Sequence, residues 1–157
     1  MISFHPPLSG LPLAGILLLI AVEVGRLISR TRITAEHCRG FVVGATMIAT
    51  VVVFVSGYQA SGELPPLSPE LELAVGKHHS IGRFLLINSL TLTAFFFLSQ
   101  VAIHGRRVLL ALYYLALALQ IILTLWAGSL GGSLVFEHGI GVTPVLGGLG
   151  SVSTGRP

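Results

Sequence analysis

The chain has 157 residues, of which 53% are hydrophobic and only 10% are charged, and its mean hydropathy is +0.89. A soluble domain usually carries about 25% charged residues, so this composition excludes a fully water-exposed surface and indicates helices that face lipid. The net charge is +3, but the basic residues cluster in two short connections between apolar segments. That distribution is typical of membrane topology and predicts no nucleic-acid partner. Cys38 is the single cysteine, which excludes an internal disulfide.

Four apolar segments reach the roughly 20 residues that a membrane-spanning helix needs. We predict helices over about residues 8–28, 39–58, 79–103 and 108–130. Arginines follow the first segment, a proline-rich stretch follows the second, and a Gly-Arg-Arg turn follows the third. The sequence therefore predicts an all-α, up-down, four-helix membrane domain over residues 1–142. A flexible glycine-rich tail is expected over residues 143–157.

The charges in the connections predict how the bundle sits in the membrane. The arginines of the first and third connections are Arg26, Arg30, Arg32, Arg39, Arg106 and Arg107. The second connection is acidic apart from Lys77. The positive-inside rule therefore assigns the first and third connections to the cytoplasm. Both termini and the second connection are expected outside, which for a bacterial inner membrane is the periplasm.

The six histidines separate into two groups in this orientation. His37 and His104 fall near the cytoplasmic arginines, where solvated interfacial side chains are expected. The other four come from three segments and fall at the predicted outer side: His5, His78, His79 and His138. Imidazole is the commonest metal ligand and a frequent axial ligand of haem iron, so the outer group predicts a cofactor site.

Two glycines and two cations lie beside the outer histidines: Gly82, Gly139, Lys77 and Arg83. Glycine allows a planar cofactor to approach the backbone, and cations beside a histidine pair could hold haem propionates. Interfacial histidines without a ligand role are the alternative interpretation. Neighbours His78 and His79 point about 100° apart on a helix, so both are not expected to bind the same ion.

Three polar residues fall inside the predicted helices. Glu23 lies three residues before Arg26, which predicts an ion pair within one helix. Asn88 and Gln120 fall in the third and fourth helices. Hydrogen bonding between those helices is their expected role, and a proton or substrate path is the alternative.

The end of the chain carries its most distinctive motif. Residues 131–142 read G-G-S-L-V-F-E-H-G-I-G-V. They resemble the G-G-x-L-V-[YF]-x-H-G-x-G-V signature of a bacterial membrane family known as domain of unknown function 2231. His5-Pro6 before the first helix and His79 at the head of the third are similar to the family as well. Members often begin H-P-x-x-x-H-F-P, where this chain has Gly10 in place of the second histidine, so His79 and His138 are the matching pair.

The resemblance implies a periplasmic redox setting, because relatives often occur with c-type cytochromes. We therefore hypothesise a membrane b-type haem protein in periplasmic-side electron transfer, acting alone or within a larger redox complex. The axial ligands would be His79 and His138, with His78 or His5 as substitutes. Iron bound by two imidazoles favours electron transfer, so a carrier or subunit is expected rather than a stand-alone enzyme.

Two alternatives to the haem hypothesis stay open. The first is a non-catalytic accessory subunit of a respiratory or photosynthetic membrane complex. The second is a copper or zinc site on the same histidines, since neutral imidazoles suit both metals. All three hypotheses have the lipid bilayer as the surrounding medium, and a c-type cytochrome or a larger membrane complex is the expected protein partner.

Overall fold

The computed structural model describes residues 8–28, 30–64 and 66–140, and within these ranges the chain forms four α-helices and no strands. The helices are α1 (Leu11–Gly25), α2 (Arg32–Gly62), α3 (Pro69–Val101) and α4 (Arg106–Phe136). The predicted all-α bundle is therefore confirmed. His5 and the predicted tail over residues 143–157 lie outside the described residues.

Three of these helices are long and apolar enough to cross a membrane: α2, α3 and α4, with 31, 33 and 31 residues. At 1.5 Å per residue each is roughly 45–50 Å long, which exceeds the hydrocarbon thickness of about 30 Å. Their ends therefore extend beyond the apolar layer. α1 is different, because it has 15 residues and is shorter than the predicted segment over residues 8–28.

The starts of α2 and α3 differ most from the prediction. α2 begins at Arg32 rather than at residue 39, and α3 begins at Pro69 rather than at residue 79. Ser68 is extended, a proline opens α3, and two glutamates occupy its first turn, all of which favour a helix start. Hydropathy located only the apolar part of each helix. As a consequence, Arg39 and His79 lie two to three turns inside their helices, not at the ends.

Glycines in the left-handed conformation border both ends of α4. Gly105 precedes the helix with a φ of 76°, and Gly139 follows it with a φ of 64°. Beyond the helix, the amide of Gly139 donates to the carbonyl of Val135 at 3.1 Å, and the amide of Ile140 donates to that of Leu134 at 2.9 Å. A left-handed glycine with these two bonds closes the end of a helix in a Schellman motif. α4 therefore runs past its predicted end at residue 130, and Gly139 has a structural role there.

The bundle has two chemically different ends. We name the end with the connections over residues 26–31 and 102–105 the arginine end. The opposite end, with the connection over residues 63–68 and the end of α4, is the histidine end. α1 approaches α2 closely, since a Cβ at Gly15 would lie 2.9 Å from Oγ1 of Thr46. α1 therefore packs along the part of α2 nearest the arginine end.

The hydrophobic core joins all four helices. Its buried members are Ile16, Leu19, Val42, Val43, Leu92, Phe96, Tyr113, Ala116 and Leu117. The most extensive helix pairing is between α3 and α4, followed by α1 with α2, whereas α1 and α4 touch only slightly. α1 thus depends mainly on α2 for apolar contacts, which makes any polar link from α1 to α4 important for its position.

Candidate functional site

The histidine pair of α3 lies against the glycine-rich part of α4. A Cβ at Gly131 would lie 3.1 Å from Cε1 of His78 and 3.7 Å from its Nδ1. Such a short distance is tighter than ordinary van der Waals contact, so the glycine leaves room for the imidazole. This contact joins the first glycine of the C-terminal motif to the histidine pair, and it brings two of the predicted site segments together.

His79 occupies a different face of α3 from His78. Successive residues on a helix are about 100° apart, and the side chain of His79 is half-buried. Gly82, about one turn further on, faces α2, because a Cβ there would lie 3.7 Å from the ring of Phe54. Gly82 therefore contributes to the packing of α3 against α2, and the member of the pair that contacts Gly131 is His78.

His138 lies directly beyond α4 and is exposed to the surroundings. Its Nδ1 is 3.2 Å from the carbonyl oxygen of Ser133. When Nδ1 carries the proton and donates to this carbonyl, Nε2 has the available lone pair. The hydroxyl of Ser133 donates to Glu137 at 2.7 Å, so both polar residues at this end of α4 are tied to Ser133.

The two predicted cations, Lys77 and Arg83, are both exposed on α3. Lys77 borders an open groove of about 940 Å³ between α3 and α4, with Trp126 and Leu130 on the opposite side. Across the ranges that the structure describes, no group of three or more His, Cys, Asp or Glu side chains is placed to hold a metal ion. Of the predicted ligands, the described ones are His78 and His79 of α3 and His138 just beyond α4.

The largest polar cluster lies at the arginine end and centres on Glu23, which the sequence did not identify as a site. Its Oε1 accepts hydrogen bonds from Nε of Arg39 at 2.6 Å and from the hydroxyl of Tyr113 at 2.7 Å. Its Oε2 accepts from Arg26 at 2.8 Å and from the hydroxyl of Tyr114 at 3.0 Å. The predicted ion pair between Glu23 and Arg26 is confirmed. Three further donors form hydrogen bonds to the same carboxylate.

Arg39 is the deepest charge in this Glu23 cluster, with only 2% of its surface exposed. Its guanidinium lies 4.8 Å from the ring centroid of Phe96 and 4.9 Å from that of Tyr113. Contact with aromatic faces and with a carboxylate offsets the cost of removing the charge from water. The prediction assigned Arg39 to the first connection. The buried positions of α2 at Ala35, Arg39, Val42, Val43 and Thr46 follow helical spacing, and that pattern could have located it.

Arg26 extends the Glu23 cluster toward the first connection. Its Nε is paired with Glu36 of α2, and NH1 also bonds the hydroxyl of Tyr114 at 3.0 Å. Partial burial alone would lower the pKa of Arg26, but its hydrogen bonds to Glu36, Glu23 and Tyr114 raise that pKa, so the guanidinium stays charged. Two cations and two carboxylates therefore link α1, α2 and α4.

A polar contact between α3 and α4 lies in the middle of the bundle. Nδ2 of Asn88 donates to Oε1 of Gln120 at 2.7 Å and to the carbonyl oxygen of Ala116 at 2.9 Å. The predicted hydrogen bond between the third and fourth helices is thus confirmed. It is expected physically, because a buried amide without a partner is costly in an apolar interior.

Family models, curated proteins and solved structures were all compared with the chain, and none of them matches it.

Proposed function

We propose that this protein is a membrane electron carrier that holds a b-type haem at the histidine end through His79 and His138. One observation carries the proposal, namely the contact between His78 and Gly131. It brings the histidine pair of α3 beside the α4 segment that leads to His138. Because the ring of His78 packs against α4, we assign it a structural role and assign the iron-binding role to His79.

The surroundings of His138 support a ligand role. Nδ1 of a metal-binding histidine usually bonds a carbonyl or carboxylate, which orients Nε2 toward the metal. The contact of His138 with the Ser133 carbonyl has this form. Arg83 is exposed four residues after His79 on the same face of α3 and could pair with a propionate, whereas Lys77 is exposed on a nearly opposite face.

The packing of α3 on α4 limits where a macrocycle could bind. The close contact of His78 with Gly131 leaves no space for a porphyrin between the two helices at that level. A haem would therefore bind beside this contact. When bound, it would supply a one-electron couple, while the chain's own imidazoles would hold the iron and Arg83 would pair with a propionate.

The proposed setting is a bacterial inner membrane with both termini in the periplasm. The arginine-rich first and third connections support this orientation through the positive-inside rule. The histidine end would then face the periplasm, where a c-type cytochrome could exchange electrons with the haem.

The test is a visible spectrum of the purified protein after haem is added, recorded oxidised and reduced. We expect a sharp reduced band that His79→Ala and His138→Ala remove. His37→Ala, at the arginine end, is the matched control and should keep the band. Protein that stays colourless with added haem would contradict the proposal, and metal analysis of the same sample would reveal a copper or zinc site.

A second candidate function is an accessory subunit of a larger redox complex. A groove of about 540 Å³ on α2 favours it, because Gly40, Gly44, Ala45 and Ala49 line it together with apolar residues. Small residues let a neighbouring membrane helix approach closely, and a Cβ at Gly44 would meet no described atom within 4 Å. Co-purification of a large complex that Gly44→Leu disrupts would support this function, whereas a stable pigmented monomer would argue against it.

A further inference from the structure

The buried polar side chains in the middle of the bundle include Asn88 of α3 and Gln120 and Thr124 of α4. Their exposed fractions are 9%, 1% and 7%. Gln120 and Thr124 are four residues apart on one helix, so they lie on the same face about one turn from each other. These residues lie near the middle of α3 and α4, two helices that are long and apolar enough to span a bilayer.

The orientation of the Gln120 amide follows from the Ala116 carbonyl. Asn88 must direct its Nδ2 at that carbonyl, because its own oxygen there would face another acceptor. The second hydrogen of Nδ2 then reaches Oε1 of Gln120. The amide nitrogen of Gln120 is therefore turned away from Asn88, and it finds no hydrogen-bond partner in the described part of the chain.

The hydroxyl of Thr124, one turn further along α4, also lacks a hydrogen-bond partner among the described residues. The hydroxyls of Thr46, Thr50 and Thr91 each bond the carbonyl four residues earlier in their own helix. The hydroxyl of Thr124 makes no such bond, and no described residue is its partner. A buried amide donor and a buried hydroxyl are thus left unsatisfied one helical turn apart on the same face of α4, where an unsatisfied polar group is costly.

We infer that a water molecule binds between α4 and its neighbours at this place, accepting a hydrogen bond from Nε2 of Gln120 and bonding the hydroxyl of Thr124. The partner must offer an acceptor to the amide hydrogens, which excludes a cation. It must also be small, because both side chains are more than nine-tenths buried. One water needs only about 30 Å³ and two or more polar partners, and this pair supplies them.

The first test compares Thr124→Val with Thr50→Val. Both substitutions exchange a buried hydroxyl for a methyl group of similar size, but only the first removes a partner of the water. We expect Thr124→Val to lower Tm by about 2–4 °C relative to Thr50→Val. If the hydroxyl were simply unsatisfied, its removal would raise Tm above that of the parent protein, and that result would overturn the inference.

The second test observes the water directly. With ¹⁵N-glutamine labelling in lipid bilayers, magnetisation should pass from water to the side-chain amide of Gln120. Gln120→Glu removes that signal and so assigns it, while Gln59 and Gln100 serve as internal references for water contact. A Gln120 amide that receives no magnetisation from water, although its signal is visible, would contradict a bound water.

Discussion

The two ends of the bundle use charged and polar side chains in opposite ways. At the arginine end, Glu23 accepts four hydrogen bonds and Arg39 is enclosed by aromatic rings. At the histidine end, His138, Lys77 and Arg83 are exposed, and the two cations form no ion pair with another described residue. Polar groups that already have partners stabilise the fold, whereas exposed groups are available to bind a ligand. Substitutions at the arginine end should therefore lower stability, and substitutions of the exposed groups at the histidine end should mainly affect binding.

Glu23→Ala should have the largest effect on stability. It leaves the buried guanidinium of Arg39 without its carboxylate, and breaking a buried pair in this way costs about 3–5 kcal/mol. Denaturant or thermal unfolding in detergent measures it. Glu36→Ala is the matched control, because Glu36 pairs with Arg26 at a site where 46% of its side chain is exposed. Equal losses from the two substitutions would contradict the central role of Glu23.

Gly131→Ala should have the next largest effect, this time at the histidine end. The added methyl group would press on the ring of His78, and overpacking of this kind costs about 1–3 kcal/mol. Gly128→Ala is the control on the same helix, since a Cβ there meets nothing within 4 Å. We expect that control to be neutral or stabilising by about 0.5–1 kcal/mol. If both alanines behaved alike, the close contact would be unimportant.

Tyr114→Phe should weaken the arginine end by a smaller amount. The variant loses the hydroxyl that bonds Oε2 of Glu23 at 3.0 Å. A hydrogen bond to a charged group contributes about 1.5–3 kcal/mol, and the exposure of Tyr114 to solvent reduces the expected loss to about 1 kcal/mol. Chemical unfolding against the parent protein checks it. Tyr58→Phe, an exposed tyrosine near the other end of α2, should change stability less than Tyr114→Phe does.

Arg83→Ala should have the smallest effect on stability. Exposed side chains outside special features usually change it by less than about 0.5 kcal/mol. Under the proposed function, the same substitution should weaken haem retention during gel filtration, because a propionate partner is lost. A large loss of folding stability would show that the histidine end is not the open region that its exposure indicates.

The all-α fold could be predicted from the sequence because apolar segments are a strong, local signal, but only α2, α3 and α4 have the membrane-spanning length that was predicted for all four helices. The helix boundaries could not be predicted, since α3 continues as a helix through polar residues from Pro69 onward. Hydropathy indicates whether a segment is suited to lipid or to water, but it does not indicate whether its backbone is helical. For the same reason His78 and His79 were expected at the head of the third helix, whereas they lie well inside it.

Of the contacts in the Glu23 cluster, only the pair between residues close in sequence was predicted. The pair of Glu23 with Arg26 follows from helical spacing, but Tyr113 and Tyr114 are about ninety residues further along the chain. A contact at that separation depends on how helices pack, and a single sequence does not encode it in any local pattern. Asn88 and Gln120 were predictable as hydrogen-bonding residues because a buried polar group in an apolar helix needs a partner.

Of the glycines in the C-terminal motif, only Gly139 was assigned a special role from the sequence, as a place where a flat cofactor approaches the backbone. That role stays a prediction. In the structure, Gly131 accommodates the ring of His78, and Gly139 ends α4 in the left-handed conformation.

The pairing of Glu23 with Arg39 has a consequence for how the chain could enter a membrane. The two residues lie on α1 and α2, which follow each other in the sequence and pack together. Either charge alone would resist transfer into lipid by about 2.5–3.5 kcal/mol. Inserted together as a helical hairpin, the two helices would carry a neutral pair across the interface, and the tyrosines of α4 would join it only after that later helix had been synthesised.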